Sequence, residues 1–251
     1  MQYAAAVLTI FDHTLALTLA VLFPIRAGVM GFGRLKRAAP HDVPRVRMWV
    51  YRGAMITQWL LAAAAVALWL FTGRAWRMLG VIPSFNGGLI GVLAGFAVVL
   101  VVVLRQQASG MRDEQAVATL RRRMEKLERM LPHTALELRW FYLLSLTAGI
   151  CEEFLYRGYM IWYLQQLGLA LIPAALVSSV IFGFGHLYQG PRGILLTSLV
   201  GGFLAAVYLL SRSLFAGMLF HFLMDAYSGR LMYAVYRDAG QSPPPAPEVA
   251  A

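Results

Sequence analysis

Apolar runs of roughly 20 residues follow one another along almost the whole chain, separated by short polar breaks. They fall at about 4–25, 54–72, 87–104, 138–165, 168–187, 193–211 and 213–236. At about 1.5 Å per residue, helices of that length cross the ~30 Å of a bilayer's hydrocarbon. The pattern predicts an all-α, polytopic transmembrane helical bundle of about seven spans (six to eight), within which the ionisable residues taken up below call for a polar intramembrane cavity. The runs 138–165 and 213–236 are over-long. Each should tilt, kink or break, the second near Ser228-Gly229.

Composition agrees. The 251 residues are 59% hydrophobic and 14% charged, with mean hydropathy +0.63, against about 25% charged in soluble domains. A soluble chain exposing that much apolar surface would aggregate, so the bilayer is the natural solvent. The first apolar run lacks a basic start and is too long for a signal core, which predicts a retained span. The formal charge of +10 gathers in two breaks, 26–53 (Arg26 to Arg52) and 105–137 (Arg105 to Arg129). Such loops suit the cytoplasmic face and its anionic lipids, and argue against nucleic acid as a partner. With seven spans the N-terminus then lies outside. Arginine far outnumbers lysine, and Ala, Leu, Val and Gly dominate, a bias that suggests a GC-rich bacterial genome; a multi-pass chain from such a source is expected in the bacterial inner membrane. One cysteine, Cys151, excludes an intrachain disulfide and a cysteine-built metal cluster.

Within the third break Val117, Leu120, Met124, Leu127 and Leu131 recur at steps of three and four, up to Pro132. This predicts an amphipathic helix at about 110–131, resting on the membrane or on its own bundle. A coiled-coil contact with a second copy, giving a homodimer, is the alternative. The chain thus divides into N-terminal helices with basic loops (1–137), a helical core (138–237) and a proline-rich tail (238–251) expected to be disordered.

Ionisable residues inside spans carry the chemistry. Asp12, Glu152, Glu153, Asp225, His13, His186 and His221 all fall there. A charge at the bilayer centre costs at least ~2.5–3.5 kcal/mol, so each needs a partner, a watery cavity or a function. In CEEFLYRGYM, Glu153 and Arg157 are spaced i, i+4 in the favourable orientation for an ion pair. Glu152, about 100° around the helix, lacks that partner and is left free to handle protons. His186 closes FGFGH, where Gly183 and Gly185 allow a neighbouring helix or a substrate backbone to come close. His221 and Asp225 are again i, i+4. Asp12-His13 reads as a polar pair for helix packing. Alone, each feature has a structural explanation. Together, a carboxylate and histidines on three late spans require a shared polar cavity. Glu and His there can activate a water, while a second His meets the oxyanion.

The order EExxxR, FxxxH and HxxxD resembles the CPBP family of intramembrane glutamic endopeptidases, which includes the Rce1-type CAAX-processing proteases and the bacterial Abi proteins. The matching residues are Glu152-Glu153-Arg157, Phe182-His186 and His221-Asp225, and the resemblance covers about 138–226. It implies a conical cavity and cleavage of a peptide bond near the C-terminus of a membrane-anchored or lipidated protein, without a metal or other cofactor. In a bacterial chain a myxosortase-like removal of a C-terminal anchoring segment fits. By the same resemblance Glu152 is the base and His186 its partner, with His221 and Asp225 the oxyanion-stabilising pair. Glu153, Arg157 and Phe182 support them. Many members carry Asn where Asp225 stands, so Asp225 either keeps His221 protonated or is itself neutral. Cys151, beside two carboxylates, is in poor surroundings for a thiolate nucleophile.

Other readings use the same residues. Glu, His and Asp are also zinc ligands, although no HExxH occurs. A transporter would use intramembrane acids as a relay through the whole bilayer, yet spans two and three are nearly bare of polar residues. An immunity-type or scaffold protein would keep the fold without catalysis. Depth raises a difficulty: straight, full-length spans place Glu152 about 20 Å below the surface where His186 would emerge.

Overall fold

The computed structural model describes residues 7–81, 86–110 and 114–237, all of it helix and connecting turns. Eight helices follow in order: α1 Ile10–Arg37, α2 Pro40–Phe71, α3 Gly87–Gly110, α4 over 114–130, α5 over 135–166, α6 Leu171–Phe184, α7 Leu187–Ser211 and α8 Leu214–Tyr236. The proline-rich tail lies outside the described residues.

Three helices, α1, α2 and α7, are long and apolar enough to cross a membrane, and α6 and Gly87–Val98 are shorter apolar helices. Three helices meet that standard of length and hydropathy; α5 and α8 carry ionisable residues midway along their length, and α6 and Gly87–Val98 fall short of it in length. On α7, Leu195, Leu196, Leu199, Phe203 and Leu210 stay exposed. Such a face needs lipid around it, and the protein is an integral membrane protein.

The expected first loop, 26–53, is mostly helix. α1 continues past Arg26 to Arg37, because Ala27–Phe32 is apolar and the last turn holds good helix formers. Pro24 removes one backbone donor inside α1, and the helix takes wide π turns on both sides, over Thr18–Leu22 and Ala27–Phe32. Asp12 closes a capping box with Thr9 at its start. At its end Arg129 Nη1 donates to the carbonyls of Leu35 (2.9 Å), Lys36 (3.1 Å) and Ala38 (2.9 Å). These satisfy acceptors a helix end leaves open. Pro40 then starts α2.

Helix α5 is the hub. α2 runs parallel to it, as the pairs Arg47–Glu137, Tyr51–Phe141 and Gln58–Glu152 require. Arg47 and Glu137 form a buried ion pair of 2.7 Å, while the Tyr51 hydroxyl donates to the Met130 carbonyl. α8 packs antiparallel to α5 at close range. A Cβ on Gly149 would lie 2.8 Å from the Met218 oxygen, and one on Gly229 would strike the Phe141 ring. Small residues at these positions let the backbones approach. Gly229 therefore serves packing, and α8 is unbroken where a break at Ser228-Gly229 was expected.

The amphipathic stripe lies on its own bundle. Val117, Leu120 and Met124 pack against Leu131, Met232, Val235 and Tyr236. Asp12 and His13 are packing residues as well. Arg74 grips Asp12 with two nitrogens, at 2.7 and 2.8 Å, the Tyr159 hydroxyl donates to the Asp12 carbonyl at 3.0 Å, and His13 Nδ1 lies 2.8 Å from the Tyr163 hydroxyl.

Candidate active site

The over-long run 138–165 resolves into one helix whose middle, Glu153–Met160, is wound as π-helix. Wide turns free backbone acceptors, and here Ser178 Oγ donates to the Tyr156 carbonyl at 2.7 Å. Such segments recur at functional sites. The two carboxylates of the EE pair start this segment and point to different surroundings.

Glu153 is sealed at 0% exposure. Its Oε1 lies 2.9 Å from Arg157 Nη1 and 3.0 Å from His221 Nδ1. Gly217 makes room for it, since a Cβ there would stand 3.0 Å from Glu153 Oε2. Arg157 donates onward to the Gly201 carbonyl at 3.1 Å, and its guanidinium lies 4.3 Å from the Phe182 ring centre. The i, i+4 pairing expected from spacing is present, with an imidazole added to it.

Glu152 instead borders a cavity of about 340 Å³. Gln58 Nε2 donates to its Oε1 at 2.8 Å. Glu152 Oε2 and Gln58 Oε1 are buried without hydrogen-bond partners among the described residues. Buried acceptors left open, here on two side chains hydrogen-bonded to each other, are unusual in a folded interior. The same cavity is lined by His186, Tyr188, Asp225 and Ser228. Ala27, Gly31, Gly53, Ala54, Ala148 and Gly185 leave it open by their small size.

His186 reaches Glu152's level because α6 is only half as long as α5. Glu152 lies 15 residues before Leu167 (167 − 152), and His186 lies 16 after Ala170 (186 − 170), on either side of the turn between the two helices. An antiparallel hairpin sets those positions side by side. The expected difficulty over depth assumed a full-length return span, and it disappears with a 14-residue α6. Close packing of α6 on α7 follows from Gly183, where a Cβ would strike Ser198 Oγ and stand 2.8 Å from the Ile194 carbonyl oxygen. His186 Nδ1 lies 3.1 Å from the Phe182 carbonyl oxygen. A carbonyl only accepts, so Nδ1 carries the hydrogen and Nε2 is left as the acceptor. Phe182 stands between the histidines, its ring centre 5.1 Å from His186 and 5.9 Å from His221.

His221 is not among the cavity-lining residues. It sits one layer behind, at 5% exposure, with Nε2 3.8 Å from Glu152 Oε2 and 3.7 Å from Asp225 Oδ2. Both separations exceed a hydrogen bond, so Nε2 is uncommitted. The Asp225 side chain is 42% exposed and faces the cavity. Helices α5, α6 and α8 thus bring together all four candidate residues, three at the cavity and His221 behind them. Cys151 is fully buried in the apolar core.

Spacing did not reveal Gln58 as a neighbour of Glu152, nor the contact between His221 and Glu153. Gln58 left a signal in the sequence, being an amide amid the apolar run 54–72. The His221–Glu153 contact joins positions 68 apart on different helices, and nothing local marks it.

Residues 134–227 match the family profile described as Type II CAAX prenyl endopeptidase Rce1-like. The matched stretch spans α5 to α8 and includes all three motifs from which the resemblance was read. No curated protein and no solved structure matches the chain.

Proposed function

We propose that the protein is a multi-pass intramembrane endopeptidase of the glutamic type. It hydrolyses a peptide bond near the C-terminus of a membrane-anchored, lipidated protein, in a bacterial inner membrane. Residues 138–237 supply the catalytic core, and 1–137 close the cavity. The observation that carries this reading is the meeting of Glu152, His186 and Asp225 at one cavity, from α5, the turn after α6 and α8.

In this mechanism a water sits between Glu152 Oε2 and His186 Nε2, both acceptors. Glu152 takes its proton as the water attacks the scissile carbonyl, and later returns that proton to the leaving amine. Gln58 holds Glu152 through Oε1, and the second water hydrogen goes to His186 Nε2. The uncommitted Nε2–H of His221 meets the developing oxyanion, with Glu153 on Nδ1 balancing its charge. The charge of Glu153 is already engaged by Arg157, so the two neighbouring acids hold different roles.

Coexpression with candidate anchored substrates tests the reading. Mass spectrometry should find a C-terminal fragment released by the wild type and not by Glu152→Ala. Identical products from the two would refute the enzyme. Activity that disappears with a chelator and returns with zinc would replace the metal-free chemistry by the zinc alternative.

A further inference from the structure

The polar pattern put Arg26 at the start of a loop, yet it lies inside α1, eleven residues before Arg37 (37 − 26). Its neighbours Leu22, Ile25, Val29 and Met30 are exposed apolar residues. Arg26 is the single Lys or Arg among the residues lining the cavity of Glu152, His186 and Asp225. It forms no ion pair or hydrogen bond among the described residues. Contacts on either side of it in α1 fix its place. Leu19's carbonyl accepts from the Tyr156 hydroxyl at 3.4 Å, and the Phe32 ring packs on Tyr188, ring centres 5.6 Å apart. Tyr156 is one turn from Glu152, and Tyr188 is two residues past His186. Arg26, itself exposed, therefore lies on the wall of the cavity that also holds the acid–histidine cluster, at the beginning of the second π segment. A charge on an apolar helix, without a partner among the described residues and on the wall of a largely apolar cavity that also holds two carboxylates, marks a ligand site.

Its chemistry selects the ligand. The cavity's other charges, Glu152 and Asp225, repel an anion, and only Arg26 attracts one. A guanidinium receives a carboxylate as a two-pronged fork. We propose that Arg26 binds the free C-terminal carboxylate of the substrate. The cavity then accepts a chain terminus in preference to a mid-chain segment, and the separation of Arg26 from Glu152 sets where the cut falls. This rests on the endopeptidase reading for the cleavage step, and on the geometry of Arg26 alone for binding.

Two lipid-anchored peptides of one sequence, ending in a carboxylate or a carboxamide, provide the test in proteoliposomes. Wild type should prefer the acid by about 10- to 100-fold in kcat/KM, the range for a charge-assisted hydrogen bond. Arg26→Gln should lower the acid's kcat/KM to the amide's level, and Arg26→Lys should restore part of the preference. Binding to Glu152→Gln protein, with and without Arg26→Gln, supplies a readout independent of turnover. Equal treatment of acid and amide by the wild type, in cleavage and in binding, would overturn the assignment. So would a preference that survives Arg26→Gln, or an equal loss for both peptides, which marks Arg26 as a lipid anchor. Acid-selective, Arg26-dependent binding without cleavage of either peptide would sink the protease and leave the carboxylate site standing.

Discussion

Gln58→Met isolates one interaction of the proposed catalytic base. The amide nitrogen of Gln58 donates to Glu152 Oε1 at 2.8 Å, with both groups buried. Methionine keeps nearly the same length and volume, so the cavity wall and the packing of α2 on α5 are preserved; the amide is lost, and with it the donor to Glu152. A hydrogen bond to a charged group contributes about 1.5–3 kcal/mol. At about 1.36 kcal/mol per tenfold in rate, that predicts a fall in kcat of about 10- to 150-fold. KM should change little, because Gln58 orients Glu152 and any contact with the peptide is indirect. The assay is cleavage of a fluorogenic, lipid-anchored peptide in proteoliposomes over a range of substrate concentrations, with thermal unfolding as a folding control. A kcat within twofold of wild type, in a variant of unchanged thermal stability, would show that Glu152 needs no donor from α2. An effect confined to KM would place Gln58 in substrate binding.

Three further outcomes follow from the geometry. Asp225→Asn should keep activity within about fivefold: the Asp225 side chain is 42% exposed, such pairs contribute about 0–1 kcal/mol, and His221 retains Glu153; a loss of several hundredfold in steady-state turnover would mean the negative charge is essential. Cys151→Ala should remain active, since the thiol is buried away from the cavity, and inactivity of a normally folded variant would contradict that. Arg47→Met should destabilise the protein by about 3–5 kcal/mol, because it strands the Glu137 carboxylate in the interior. Adding Glu137→Gln should recover much of the loss in thermal unfolding, and no recovery would argue that Arg47 acts through its bond to the Arg129 carbonyl, 2.7 Å long.

The sequence by itself determined the solvent and the local chemistry. Long apolar runs require lipid whatever they pack against, since transfer free energy adds residue by residue. Pairs three or four residues apart share a helix face wherever the helix goes, which is why Glu153–Arg157, and the Val117–Met124 stripe, were legible before any coordinates. The separation of Glu152 from Glu153 could be read for the same reason. What only the tertiary structure decided was who meets whom between helices. Hydropathy does not distinguish a full span from a 14-residue α6, because both are equally apolar, and that length is what levels His186 with Glu152. Gln58 on Glu152, His221 on Glu153 and Arg26 beside the cavity join positions tens of residues apart, through close packing at glycines. The continuation of α1 through Arg26 was hidden because a cation in an apolar helix looks like the start of a loop. Its cost inside the membrane depends on the cavity beside it, and that cavity exists only once six helices have come together.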